Sequence, residues 1–191
     1  SDKQNSSYID YLRHKGISSI SIGQTKEQIA GLHARKPIDW YVFSSAVAIE
    51  NPEHPELEFV KEKNIRTTKR DELLNHILET KNKKLIAIAG THGKTTTTAM
   101  AIWLFQQLNI PVGYSVGAKI PFGEMGHFEE SSEYFVYECD EFDRNFLHFH
   151  PYLSLIASID YDHPDTYPTQ KEYDAAFRQF VDQSKFTILW K

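Results

Sequence analysis

Residues 85–98 read LIAIAGTHGKTTTT, and they bring together the groups that handle phosphate. An apolar run, Leu85 to Ala89, enters a tight Gly90-Thr91-His92-Gly93 turn, followed by Lys94 and the threonines Thr95 to Thr98. Glycines let the main chain approach an anion, and the N–H groups of a helix start point at it. Lys94 would sit on the β- and γ-phosphates of a nucleotide, and the Thr95 hydroxyl on a magnesium ion. Gly90, Thr91, His92, Gly93 and Thr96 complete the expected nucleotide-binding set. The loop is two residues shorter than the usual pattern, because Ile88 stands where a first glycine is expected. A plain glycine turn with a solvated lysine is the competing reading. An apolar strand before the turn and a helix after it argue against that.

Three more clusters carry chemistry. The run Tyr134-Phe135-Val136-Tyr137 ends in Glu138, Asp140 and Glu141, with Cys139 between them. Open α/β sheets bind ligands at the carboxyl ends of their strands, and a carboxylate there completes a magnesium site. Spacing leaves open which of the three acids that is. Cys139 reads as a core thiol. A second strand-like run, Leu153 to Ile159, enters Asp160-Tyr161-Asp162-His163. His163 could ligate a second cation or meet a γ-phosphate, and equally could be a surface residue. In Phe146-Leu147-His148-Phe149-His150, the two histidines find no further ligand at zinc spacing, so structural zinc is disfavoured.

These groups need a scaffold. Residues 5–15 place Ile9 and Leu12 at helical spacing. Ile17 to Ile22 alternates like a strand, and Trp40 to Val47 reads as another. Residues 55–64 form a helix with Pro55 near its start, 65–68 a short strand, and 70–82 an amphipathic helix. Helix 94–109 is apolar nearly all round, which predicts burial on a sheet. Further strands are expected at 112–120, 133–139, 153–160 and 186–190, and a helix at 170–183. Alternating strands and helices argue for a parallel sheet. The charged stretch Glu79 to Lys84 suggests a boundary, giving domains 1–82 and 83–191.

The net charge of −5, from 21 basic and 26 acidic residues, disfavours nucleic acid as a partner. No apolar run is long enough to cross a bilayer, and one cysteine allows no internal disulfide. A cytoplasmic setting is therefore expected. Both ends read as cut rather than finished.

Taken together, the chain resembles the Mur ligase family. The resemblance rests on AGTHGKTTTT (89–98), ECDEFDRNFLHFHP (138–151), DHPDTY (162–167) and SSAVAIENPE (44–53). The short loop is itself a family trait. The chain departs from the family's pattern at Cys139, Phe142 and Ser158. The resemblance implies an α/β protein: a Rossmann-like N-terminal remnant, then part of a P-loop, mostly parallel α/β central domain. Residues 1–82 would bind a UDP-sugar and 83–191 would bind ATP and Mg2+. Lys94 would hold phosphates, and Thr95, Glu138 and His163 would hold metals, with Lys94, Glu138 and His163 catalytic. Ser44, Ser45, Asp143 and His148 would fall on the substrate side. The implied reaction is ATP-dependent joining of L-alanine to the lactyl carboxylate of UDP-N-acetylmuramate, through an acyl phosphate, in peptidoglycan precursor synthesis. A third, amino-acid-binding domain would lie outside the chain, which would then not ligate alone. The alternatives are a recycling ligase that attaches a tripeptide to the same sugar, a folylpolyglutamate synthase, and a P-loop nucleotide-binding module. FLHFHP favours the alanine-adding branch over the first, and SSAVAIENPE argues against the second.

Overall fold

The structure is a computed structural model that describes residues 1–189, and the chain divides into two compact units, Ser1–Arg70 and Asp71–Lys191. In the first unit α1 (Ser7–His14) starts at Ser6, whose hydroxyl accepts from the Ile9 N–H. α2 (Lys26–Arg35) opens with a reciprocal capping box between Thr25 and Gln28. The signal, Thr-x-x-Gln, is present in the sequence, although the apolar periodicity behind it is weak. β1 (Trp40–Phe43) gives way to α3 (Ser45–Glu50), then come α4 (Pro55–Glu62) and β2 (Arg66–Lys69). β1 and β2 pair in parallel, from Trp40↔Arg66 to Phe43↔Lys69. Ile29, Phe59 and Val60 form the buried centre of this unit.

Two expected strands differ. Residues 17–22 make only an isolated parallel bridge, Asp2↔Ile22. With a lone residue as partner, no ladder extends, and Ile17 stays exposed. The second strand stops at Phe43 rather than Val47, because Ser44 takes the extended conformation of a helix N-cap and Ser45-Ala46-Val47 turns helical.

α5 (Arg70–Thr80) belongs to the second unit from Asp71 onward. Its Leu78 is buried with Leu85, Ala87 and Phe135, and the Tyr137 hydroxyl donates to Asp71. These contacts tie the helix to the sheet. The compact unit therefore begins at Asp71, ahead of the expected boundary at 82/83. Along the chain come β3 (Lys84–Ala89), α6 (Lys94–Gln107), β4 (Val112–Ser115), β5 (Gly126–His127) and β6 (Tyr134–Glu138). A short 3-10 helix, Phe142–His148, leads to β7 (Leu153–Ile156), α7 (Gln170–Gln183) and β8 (Phe186–Leu189). Trp190, expected to end the last strand, lies outside the described residues.

The sheet order is β5-β4-β6-β3-β7-β8. Among the described strand pairs of this sheet, β4–β5 is antiparallel and the others are parallel. Side-chain alternation sends Leu85, Ala87, Phe135, Tyr137 and Cys139 into one core, with Phe177 and Phe180 of α7. It sends Ile88 and Val136 into the other, with Ile102 of α6. Both faces are covered, which is why β3 reads as an unbroken apolar run. α6 departs from expectation: Thr98 and Ile102 are buried, whereas Met100, Trp103, Leu104 and Leu108 are exposed. One stripe of a straight helix meets a sheet, so an apolar circumference does not imply burial all round. β4 and β7 also end early. Beyond β7, Ala157 and Ser158 bond to the end of β3 and the loop after it. Among the described residues, no helix is long and apolar enough to cross a membrane.

Candidate functional site

β3 runs between β6 and β7, with Ile88 opposite Glu138 and Ala89 opposite Ile156. The carboxyl ends of three parallel strands therefore meet, and the sequence clusters that carry chemistry sit on them. Gly90 comes directly after β3 at φ +131, and Gly93 caps α6 at φ +81. Such angles strain any side-chain-bearing residue. Space also demands glycine at Gly90: a Cβ there would lie 2.7 Å from Ser158 O and 2.8 Å from Ser158 N.

The loop is pinned to the segment after β7. Thr91 N donates to Ser158 O at 3.2 Å, and His92 N to Ser158 Oγ at 2.8 Å. Thr91 Oγ1 donates to Asp160 O at 2.7 Å and accepts from Asp160 N at 2.9 Å. It also meets the Tyr173 hydroxyl at 2.6 Å. Burial pushes that phenol up to about 12, with the Thr91 hydrogen bond pulling the other way.

The three acids after β6 have separate partners. Glu138 Oε1 accepts from Thr95 Oγ1 at 2.7 Å, and its Oε2 accepts from Gly117 N at 2.7 Å. Asp140 Oδ1 accepts from Phe142 N at 3.2 Å and shapes the turn. Glu141 is fully buried and meets Lys94 Nζ with both oxygens, at 2.9 and 3.2 Å. Lys94 Nζ also donates to Gly90 O at 2.7 Å. Burial raises the Glu141 carboxyl above the ordinary range, and the hydrogen bond from Lys94 opposes that. Burial likewise lifts the Cys139 thiol well above its usual value, which keeps it protonated and inert.

His163 reaches the same place from the other side. Its Nε2 lies 3.8 Å from Glu141 Oε1 and 3.9 Å from Asp162 Oδ2, and its ring packs on Phe142 with centroids 5.2 Å apart. It holds a left-handed backbone, φ 54, which costs a non-glycine residue about 1 kcal/mol or more. Lys94 and His163 thus meet at Glu141, while Thr95, the residue after Lys94, pairs with Glu138. Thr96 is exposed beside Thr95 on the first turn of α6.

The remaining expected residues lie elsewhere. Ser44 and Ser45 belong to the first unit, where Ser44 precedes α3 without a side-chain cap and Ser45 is buried. Asp143 and His148 sit on the 3-10 helix, Asp143 in a left-handed kink shared with Arg144. Sequence reading missed the partnership of Glu141 with Lys94 and the roles of Gly117, Ser158 and Tyr173. Glu141 had a signal, as an acid just past a strand in a chain with a glycine loop. Gly117 had none, because it contributes only its main chain.

Thr95 Oγ1 and Glu138 Oε1 are hard oxygen donors of the kind magnesium takes. Among the described residues, no three His, Cys, Asp or Glu side chains form a metal cage. A metal here would take its other ligands from phosphate and water.

Comparison with known proteins adds to this geometry. Residues 88–190 match the Mur ligase middle domain. The UDP-N-acetylmuramate–L-alanine ligase of Syntrophomonas wolfei is 38% identical over 149 residues, 78% of this chain and 31% of that protein. The ligase of the same name from Clostridium botulinum strain Langeland is 35% identical over 181 residues, 95% of this chain and 37% of that protein. The chain thus spans about a third of the length of the curated relatives it matches. Among solved structures, the UDP-N-acetylmuramate–alanine ligase of Thermotoga maritima superposes with a TM-score of 0.79 at 24% identity, over 96% of this chain and 41% of that one. The UDP-N-acetylmuramate:L-alanyl-γ-D-glutamyl-meso-diaminopimelate ligase of Neisseria meningitides gives 0.78 at 22%, over 96% and 59%. At such identities the two superpositions speak to the fold, which is theirs.

Proposed function

The chain belongs to the Mur ligase family, and from that premise we propose that it carries the phosphate-handling part of an ATP-dependent ligase that joins L-alanine to UDP-N-acetylmuramate. The observation that carries the reading is the grouping of Lys94, Thr95 and Glu138 at the carboxyl ends of β3 and β6. The names of the curated relatives supply the substrates.

An ionised carboxylate does not react with an amine unaided. In the proposed reaction the lactyl carboxylate oxygen attacks the γ-phosphorus of ATP, and ADP leaves. The amine of L-alanine then attacks the acyl carbon, and inorganic phosphate leaves with the electron pair of the broken C–O bond. Nucleophile and phosphoryl group are both anionic, so the barrier is largely electrostatic and positional. Lys94 would donate to the phosphate oxygens, and the loop N–H groups would cradle them. Thr95 and Glu138 would hold a magnesium ion, with His163 holding a second. Bound there, magnesium supplies charge neutralisation for the transferring phosphoryl group. No protein nucleophile is required. Ser44 and Ser45, just past the carboxyl end of β1, are assigned to the UDP-sugar, as are Asp143 and His148 to the substrate side.

The test is titration of the chain with magnesium-ATP. We expect Lys94→Ala to weaken binding by at least about tenfold, the scale of a lost charge-assisted hydrogen bond. Binding within twofold of the unaltered chain would sink the assignment. The sequence motifs also leave open a recycling ligase that attaches a tripeptide to the same sugar. Competition between L-alanine and the L-alanyl-γ-D-glutamyl-meso-diaminopimelate tripeptide in the intact protein decides between them, and we expect L-alanine to win.

A further inference from the structure

Lys94 does not point into open space. Its ammonium is folded back on its own loop, donating to Gly90 O at 2.7 Å and to both oxygens of Glu141 at 2.9 and 3.2 Å. Its partners are the Gly90 and Thr91 carbonyls and the Glu141 carboxyl group, oxygen acceptors like those that a phosphate chain offers. Glu141 is fully buried, so this pair meets in a low-dielectric setting where removing either member strands the other. His163 also approaches this carboxylate, at 3.8 Å. Two groups assigned to phosphate and metal thus converge on one acid.

Glu141 does not depend on Lys94 for its place. Its main-chain carbonyl accepts from the buried Tyr167 hydroxyl at 2.6 Å and from Arg144 N at 3.1 Å. The acid is anchored through its backbone, while the lysine side chain is the long, rotatable partner. In an exchange of partners, the lysine moves and the carboxylate stays.

We propose that Glu141 is a positioning residue that stands in for phosphate. It holds the Lys94 ammonium inside the loop when no nucleotide is bound, and it competes with an incoming phosphate chain for that ammonium. This rests on the reading of Lys94 as the phosphate lysine and adds a built-in competitor to it. The competition has a direction. A bare polyphosphate must win Lys94 from Glu141 and then lie near the carboxylate left behind. A magnesium-bound nucleotide carries less net charge and suffers less. Glu141 therefore biases the loop toward the metal–nucleotide complex.

A merely structural Glu141 and a competing one predict opposite signs. The chain is titrated with ATP in the presence of a chelator, and again with excess magnesium, for the unaltered sequence, Glu141→Gln and Lys94→Ala. The glutamine keeps the shape and one of the two acceptor oxygens while removing the charge. We expect Glu141→Gln to bind magnesium-free ATP roughly tenfold more tightly, the scale of one released charge-assisted hydrogen bond. The advantage of magnesium-ATP over free ATP should shrink accordingly. Unchanged or weaker binding of free ATP by a Glu141→Gln chain that melts cooperatively overturns the proposal. If that variant does not fold, Tyr167→Phe is read instead, since it loosens the anchor of Glu141 without touching its charge. A smaller gain in free-ATP affinity is then expected, and no gain overturns the proposal. Equal binding by Lys94→Ala and the unaltered chain removes the phosphate-lysine reading itself. A weakened Lys94→Ala beside an untightened Glu141→Gln removes only the role of Glu141.

Discussion

Three carboxylates within four residues look interchangeable in the sequence, and the structure gives each a different neighbour. Glu138 takes a hydroxyl and a main-chain N–H, Asp140 closes a turn, and Glu141 holds Lys94. The division arises from direction. Glu138 still belongs to β6 and points to the α6 side of the sheet, while Glu141 has turned back under the loop. At this scale the sharpest constraint is on Gly90. An added methyl there meets the backbone of Ser158 at 2.7 and 2.8 Å, with no flexible side chain to yield. Gly90→Ala should cost about 2 kcal/mol or more in urea unfolding and should weaken ATP binding in the same preparation. Unchanged stability would mean that the loop can withdraw from Ser158 and that the close approach is dispensable.

Among the elements, α6 separates what composition suggests from what packing does. Its apolar residues surround the axis, yet Ile102 is fully buried while Leu104 is 52% exposed. Ile102→Ala should therefore destabilise the second unit by about 2–5 kcal/mol. Leu104→Lys should stay within about 0.5 kcal/mol of the unaltered chain. Chemical denaturation of both variants checks the pair, and a large cost for Leu104→Lys would place that residue in a contact. α2 shows the opposite case, a helix announced by its cap rather than its apolar face. Thr25 and Gln28 satisfy each other's main-chain donors, and only Ile29 of the helix is buried. The helix-period signal was too weak to find it. The expected strand at residues 17–22 failed for the complementary reason: alternation was present, but a ladder needs a neighbour of matching length.

For the whole molecule, the two compact units differ in how much they bury. The second unit has two apolar cores, one on each face of its sheet, whereas the first rests on a small centre of Ile29, Phe59 and Val60. Small cores leave little net stability after the entropy of ordering the chain. Residues 71–191 produced alone should unfold cooperatively on heating, monitored by circular dichroism, and residues 1–70 alone should not. A sharp transition for residues 1–70 would show that its cap and parallel pair suffice. The main strand–helix alternation of the second unit, its mostly parallel sheet and the glycine turn after β3 were legible in the sequence, because each rests on local periods and on glycines that serve a turn. The resemblance to the Mur ligase family was legible too, because its motifs are short and contiguous. Pairing across distance was not legible. That Lys94 rests on Glu141, that Thr95 rests on Glu138, and that Ser158 forbids a side chain at residue 90 depend on strands 40 to 70 residues apart lying side by side. Sequence by itself determined which groups are present and which local shapes they favour. Only the tertiary structure decided which charge meets which, because electrostatic partnership depends on distance and burial, and the packed sheet sets both.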